Sequence, residues 1–191
     1  MTAKELKRRK IVADDEKFKE LILYIAIRSE GDNYFGAKKL NKLLFFADFL
    51  AYLNFGEPIT GQDYQALQFG PAPRRLLPIR REMEQAKDIA LRKQEFYTVD
   101  QHRIFALREP DLRKFKPEEI DLVNRLIAEY WDMKAGEIEA LSHKFLGWEV
   151  SNYKEIIPYE TALVSTRKLT DDEREFGKTL QPLAEKYLAM A

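Results

Sequence analysis

The segment that most limits what this chain can fold into lies between residues 36 and 54. It reads Ala37-Lys38-Lys39-Leu40-Asn41-Lys42-Leu43-Leu44-Phe45-Phe46-Ala47-Asp48-Phe49-Leu50-Ala51-Tyr52, without glycine or proline. Past Leu43 it is apolar on nearly every face, and a helix with no polar side has to be covered by other elements. The pattern therefore predicts a central helix with Leu43, Leu44 and Phe46 largely buried.

The rest of the chain reads as the cover. Asp14-Asp15 supplies a helix start, and Phe18, Leu21, Ile22 and Ile25 recur at steps of three and four up to Gly31, as on one face of an amphipathic helix. Gly56 and Pro58 break the central helix. Residues 59–69 read as a short extended segment and Gly70-Pro71-Ala72-Pro73 as a turn, because a residue before proline is driven to extended geometry. A helix is expected over about 73–91, kinked at Pro78. Residues 95–99 and 104–107, around the polar Asp100-Gln101-His102, predict a hairpin. Pro117 suits the first position of a helix reaching residue 133, with Ile120, Val123, Leu126, Ile127 and Tyr130 on one face. A shorter helix is expected over 137–145, and Pro158 opens another. Thr170 and Glu173 have capping-box spacing before Phe176, Leu180, Leu183 and Tyr187, with Pro182 interrupting the last turns. The fold class is mainly α (α+β): a compact helical domain with a small antiparallel β-sheet or hairpin and a C-terminal helical extension. The expected boundaries are a basic tail over 1–14, the domain over 15–166 and the extension over 167–191.

A chain of 191 residues suits one domain that buries roughly 70% of its unfolded surface. Its 32 basic and 32 acidic residues cancel, so no whole-molecule field draws it to nucleic acid or anionic lipid. The lack of cysteine removes disulfides, thiolate chemistry and cysteine-containing zinc sites, and fits a reducing cytoplasm. His102 and His143 are far apart, a poor start for a metal site, and no cofactor is expected. No apolar run approaches the ~20 residues of a membrane span, and Lys7-Arg8-Arg9-Lys10 precedes no stretch of signal-peptide length. A cytoplasmic protein without membrane contact is the expectation, its basic run a solvated tail.

Two segments carry a resemblance. The first is Lys39-Leu40-Asn41-Lys42-Leu43-Leu44-Phe45-Phe46-Ala47-Asp48, then Gly56-Glu57-Pro58-Ile59-Thr60-Gly61, Tyr64 and Gly70-Pro71-Ala72-Pro73. The second is Leu141-Ser142-His143-Lys144, Gly147-Trp148 and Ile157-Pro158-Tyr159. In order and spacing they resemble the Panacea domain of SocA-like antitoxins, over roughly residues 18–164. Ala135-Gly136 departs from the pattern, and the N-terminus and residues 170–191 lie outside it. The resemblance implies an antitoxin of a bacterial or phage toxin–antitoxin module that neutralises a co-encoded toxin by direct binding, without catalysis. One domain type is paired with toxins of very different chemistry, so the toxin itself is not implied. Lys39, Leu40, Lys42, Leu43, Leu44, His143, Trp148 and Pro158 stand at signature positions, which the resemblance makes structural.

Ser142 and His143 are helix neighbours pointing about 100° apart, so the imidazole cannot serve as base to that hydroxyl. His143 with Trp148 reads as a helix end held by a packed indole and an imidazole bonded to backbone. The Gly70-Pro71-Ala72-Pro73 turn has too few amides to cradle phosphate. A partner surface is expected on Gly70, Pro71 and Pro73 with Arg74, Arg75 and Arg81, extended by Arg80, and with Tyr64 and Phe69 as aromatic neighbours. Lys38, Lys39 and Lys42 form a second basic cluster at a helix start, where the macrodipole disfavours cations. The rival reading is a helix-turn-helix regulator, with residues 33–43 as turn and recognition helix and 95–107 as wing. The apolar run past Leu43 and the zero net charge oppose DNA binding as the main role. Weak operator binding with a toxin, a homo-oligomer, and an adaptor delivering a partner protein to a protease stay open.

Overall fold

A computed structural model describes residues 11–96 and 99–164, and beyond them residues 170, 172, 175, 176, 178, 179 and 182. Ile11–Val164 form one compact unit, which excludes residues 1–10 and 165–191. The basic run Lys7–Lys10 and most of the C-terminal extension lie outside the described residues; within the extension, residues 172, 175, 176, 178, 179 and 182 are helical.

Helix α1, Asp15–Arg28, starts where Asp14 Oδ1 accepts the Lys17 amide at 2.9 Å, and it buries Phe18, Leu21, Ile22 and Ile25. It stops before the expected Gly31. Helix α2, Ala37–Phe55, ends on Gly56 in the left-handed region. Leu43 and Leu44 are buried as anticipated, while Phe46 is only half-buried and packs on Tyr130, ring centroids 5.4 Å apart. The helix separates two apolar clusters. Leu40, Leu43, Leu44 and Ala47 join α1 and α4, Pro117–Glu129, with its Leu122, Val123 and Leu126. Phe45 and Phe49 turn the other way, onto Tyr64, Ile157 and Tyr159. Pro117 opens α4, whose N-cap amide, Lys116 N, donates to Glu119 Oε2 at 2.9 Å. Helix α5 spans Ala135–His143 and the short α6 spans Leu146–Val150.

Between residues 56 and 107 the structure departs from the expectation. Gly70-Pro71-Ala72-Pro73 is a strand and not a turn: β1, Tyr64–Leu67, pairs antiparallel with β2, Gly70–Pro73, around Gln68-Phe69. The prolines fit because antiparallel pairs alternate. With Leu67 opposite Gly70 as the closing hydrogen-bonded pair, Pro71 and Pro73 fall at positions whose N–H would point away from the partner strand. Helix α3 is Leu76–Gln85, shorter than 73–91, and Pro78 sits in its first turn, where no intrahelical donor is needed. Lys87, at φ 61°, turns the chain into β3, Ile89–Phe96, which pairs with β4, Val99–Ala106. The second hairpin is thus longer than anticipated, and Asp100-Gln101-His102 belongs to a strand. Pro158 precedes only a 3-10 turn, Tyr159–Leu163. The architecture is mainly α with two small antiparallel hairpins.

Candidate functional site

The two resembling segments, about a hundred residues apart in sequence, meet beneath the tip of the β1–β2 hairpin. From α2, Lys42 reaches up and its ammonium donates to the carbonyls of Phe69, at 2.5 Å, and Pro71, at 3.1 Å. The side chain is 3% exposed, and burial pulls its pKa down to about 8, against a smaller upward pull from Glu139. From α5, Ser142 is fully buried and donates to the Glu139 carbonyl at 2.7 Å, while His143 stacks on Trp148 at 4.0 Å and 9° between planes. The indole N–H of Trp148 donates to the Leu67 carbonyl at 3.0 Å. The tip is therefore gripped by an ammonium from one side and an indole from the other.

Gly70 makes the convergence sterically feasible. It takes φ 89°, and a Cβ there would lie 2.5 Å from both Lys42 Nζ and Ser142 Oγ and 3.2 Å from His143 Cδ2. The imidazole is held by stacking; its buried Nε2 has no hydrogen-bond partner, contrary to the backbone-bonded imidazole anticipated for it. Ser142 is bonded one turn back and His143 lies flat against an indole, so the two side chains do not meet as nucleophile and base. Phe69 stands out from this frame, 54% exposed, with Lys38 Nζ 4.7 Å from its ring centroid.

The basic cluster is mostly internal. Lys39 is 1% exposed, paired with the equally buried Asp32, and donates to the Met133 carbonyl at 3.0 Å. Only Lys38 faces outward, with 60% of its side chain exposed. The lone acid in the apolar run, Asp48, is fully buried and accepts from Thr60 N at 2.6 Å, Thr60 Oγ1 at 2.5 Å and Tyr64 OH at 2.8 Å. Burial raises its pKa despite these donors, and burial likewise holds the Tyr64 and Tyr159 hydroxyls well above the usual phenol range. Lys39 and Lys42 turn inward and most of α2 is covered, so few of its polar side chains point to solvent.

The anticipated partner surface divides. Tyr64 is 1% exposed and bonded inside, so it cannot be the aromatic neighbour of a contact; Gly70, Pro71 and Pro73 are also buried. Arg74 and Arg75 precede α3 at the open end of the hairpin, about 10 Å along the strand from the tip at ~3.3 Å per residue, so Arg74 and Arg81 do not share a helix face. Arg75 pairs with Asp15 at 2.7 Å, and burial lowers the pKa of the half-buried Arg80. Arg74, Arg81 and Phe69 are exposed. Asp32, Asp48 and Tyr159 are the participants whose part the sequence reading missed. Among the described residues no group of three or more His, Asp or Glu could hold a metal ion, and no helix is long and apolar enough to cross a membrane.

The family model described as Antitoxin SocA-like, Panacea domain, matches residues 40–149. That stretch is more than half of the chain and runs from α2 into α6. Neither a curated protein nor a solved structure matches.

Proposed function

Because the chain belongs to the SocA-like Panacea antitoxin family, we propose that it neutralises a toxin encoded beside it, in a bacterium or a phage, by direct binding in the cytoplasm. The observation carrying this reading is the gripped hairpin tip, which holds Phe69 in solvent on a pre-ordered support. Little ordering entropy is lost when a partner covers such a surface, and an aromatic flanked by cations is typical of binding hot spots. Lys38 beside Phe69, and Arg74 and Arg81 further along, supply the charged surround. Gly70, Pro71 and Pro73 act from below, fixing where that surface lies. Any operator binding belongs to the toxin-bound complex, since α2 is enclosed.

The test is co-expression with the product of the adjacent reading frame, scored by growth rescue and co-purification. Phe69→Asp is expected to fold and to weaken capture by about 30-fold or more, the effect of a lost hot spot of roughly 2 kcal/mol. Reversing Arg74 and Arg81 to Glu should weaken capture and reduce its salt dependence. Full rescue by a folded variant that carries Phe69→Asp, Arg74→Glu and Arg81→Glu together, with rescue lost on deleting residues 170–191, would move the contact to the C-terminal extension. No capture by the unaltered protein would sink the reading.

A further inference from the structure

Beside the hairpin tip lies a cavity of about 140 Å³, walled by Lys38, Asn41, Lys42, Leu67, Phe69, Gly70 and Ala72. Its surface is chiefly apolar, formed by the leucine, the alanine, the ring and the lysine stems. The size matters, because a dry apolar cavity of roughly 150 Å³ accommodates a benzene-sized group. The charge matters too: two of the seven wall residues are lysines and none is acidic, while Glu139, outside the wall, pairs with Lys38 at the long distance of 4.0 Å. Lys42 already serves two carbonyls, which leaves Lys38, its side chain 60% exposed and only loosely paired with Glu139, as the cation at the mouth. Asn41 Oδ1 has no hydrogen-bond partner, so that acceptor does not tie its amide to the surrounding fold.

From this juxtaposition we infer that the cavity is the recognition pocket of the docking surface. It takes one apolar side chain of leucine to phenylalanine size from the partner protein, in a segment whose adjacent carboxylate pairs with Lys38. The Asn41 amide rotates to meet the backbone of that segment. The inference rests on the antitoxin reading, from which it takes the existence of a protein partner. It adds what the partner must present: a protruding apolar residue in an acidic setting, where a basic setting would be repelled by Lys38 and Lys42.

The experiment titrates the ¹⁵N-labelled full chain with three acetylated, amidated tripeptides, Glu-Leu-Glu, Lys-Leu-Lys and Glu-Ala-Glu. Glu-Leu-Glu should move the amides of Lys38, Asn41, Phe69 and Ala72 at concentrations where the other two leave them in place. Ala72→Leu fills the cavity from within and should abolish those shifts while the spectrum stays dispersed. Lys38→Glu, at an exposed position, should remove the preference for the acidic peptide even if the alanine variant proves unstable. Equal response to Lys-Leu-Lys, shifts confined to another face, or shifts that survive Ala72→Leu would overturn the assignment. In the co-purification assay Ala72→Leu should weaken capture about tenfold or more, as expected for one apolar side chain left unburied, and Lys38→Glu should weaken it through charge repulsion. Full capture by both, with loss in Phe69→Asp, would overturn the pocket and leave the docking surface standing. Failure of the unaltered chain to capture its neighbour would instead strike the antitoxin reading.

Discussion

Replacing Lys39 by methionine tests whether the buried charges of α2 hold the site in place. Methionine keeps the unbranched stem and much of the volume, so the change is chiefly the loss of the ammonium. Asp32 would then keep only the Tyr34 amide, which it accepts at 2.9 Å, and the Met133 carbonyl would lose its 3.0 Å donor. Both side chains of the pair are 2% exposed, so water cannot replace the lost partner. Removing one member of a buried pair costs about 3–5 kcal/mol, mostly through the charge left behind. For a domain of this size that lowers Tm by roughly 6–20 °C. The double variant Lys39→Met with Asp32→Asn removes the stranded charge and keeps an acceptor for Tyr34, so it should recover at least about 2 kcal/mol. Urea unfolding of wild type, both single variants and the double variant gives the coupling. A single-variant cost below about 1 kcal/mol, or a double variant that merely sums the singles, would refute the claim that Lys39 and Asp32 stabilise each other in isolation from solvent.

Two further outcomes follow from the hairpin tip. Gly70→Ala should destabilise by about 2–4 kcal/mol, combining roughly 1–2 kcal/mol for a side chain in the left-handed region with displacement of Lys42 and Ser142; a thermal melt unchanged from wild type would show that the close approach is not needed. Burial holds the Lys42 pKa at about 8 in the folded chain against the ordinary lysine value of 10.5, so between those pH values the folded chain sheds a proton that the unfolded chain keeps. Stability should therefore rise with pH across that window, by up to roughly 3 kcal/mol, and Lys42→Met should lack the rise. Parallel stability curves for the two proteins from pH 7 to 10.5 would refute it.

The helices were legible because their covering is periodic. Phe18, Leu21, Ile22 and Ile25 marked α1, the all-round apolar run marked α2, and Pro117 marked the start of α4. The first hairpin was hidden by its own prolines: Gly70-Pro71-Ala72-Pro73 has turn composition, and only the alternation of hydrogen-bonded pairs makes it a strand. The break after α3 carried no signal, since Lys87 adopts a positive φ without glycine or proline nearby. The site was legible in its parts and not in its assembly. Phe69 and the Ser-His and Trp positions could be picked out, and Lys39 and Lys42 stood at signature positions in a basic cluster disfavoured by the macrodipole, but their partners, Asp32 and two backbone carbonyls, are set by tertiary structure. Asp48 did offer a clue: a single acid within an apolar helix must be paired if the helix is buried.

The central position of α2 has a consequence for the order in which the protein is made. Its last residue, Phe55, leaves the ribosome about 100 residues before Tyr159, which completes the cluster over Phe45 and Phe49. At about 5–20 residues per second, the newborn chain carries an oily, half-clothed helix for on the order of 5–20 s. During that interval aggregation and proteolysis compete with completion. The supply of working protein therefore depends on how fast the stretch between Phe55 and Tyr159 is translated, and a pause within it lowers the yield of folded chains without altering one residue.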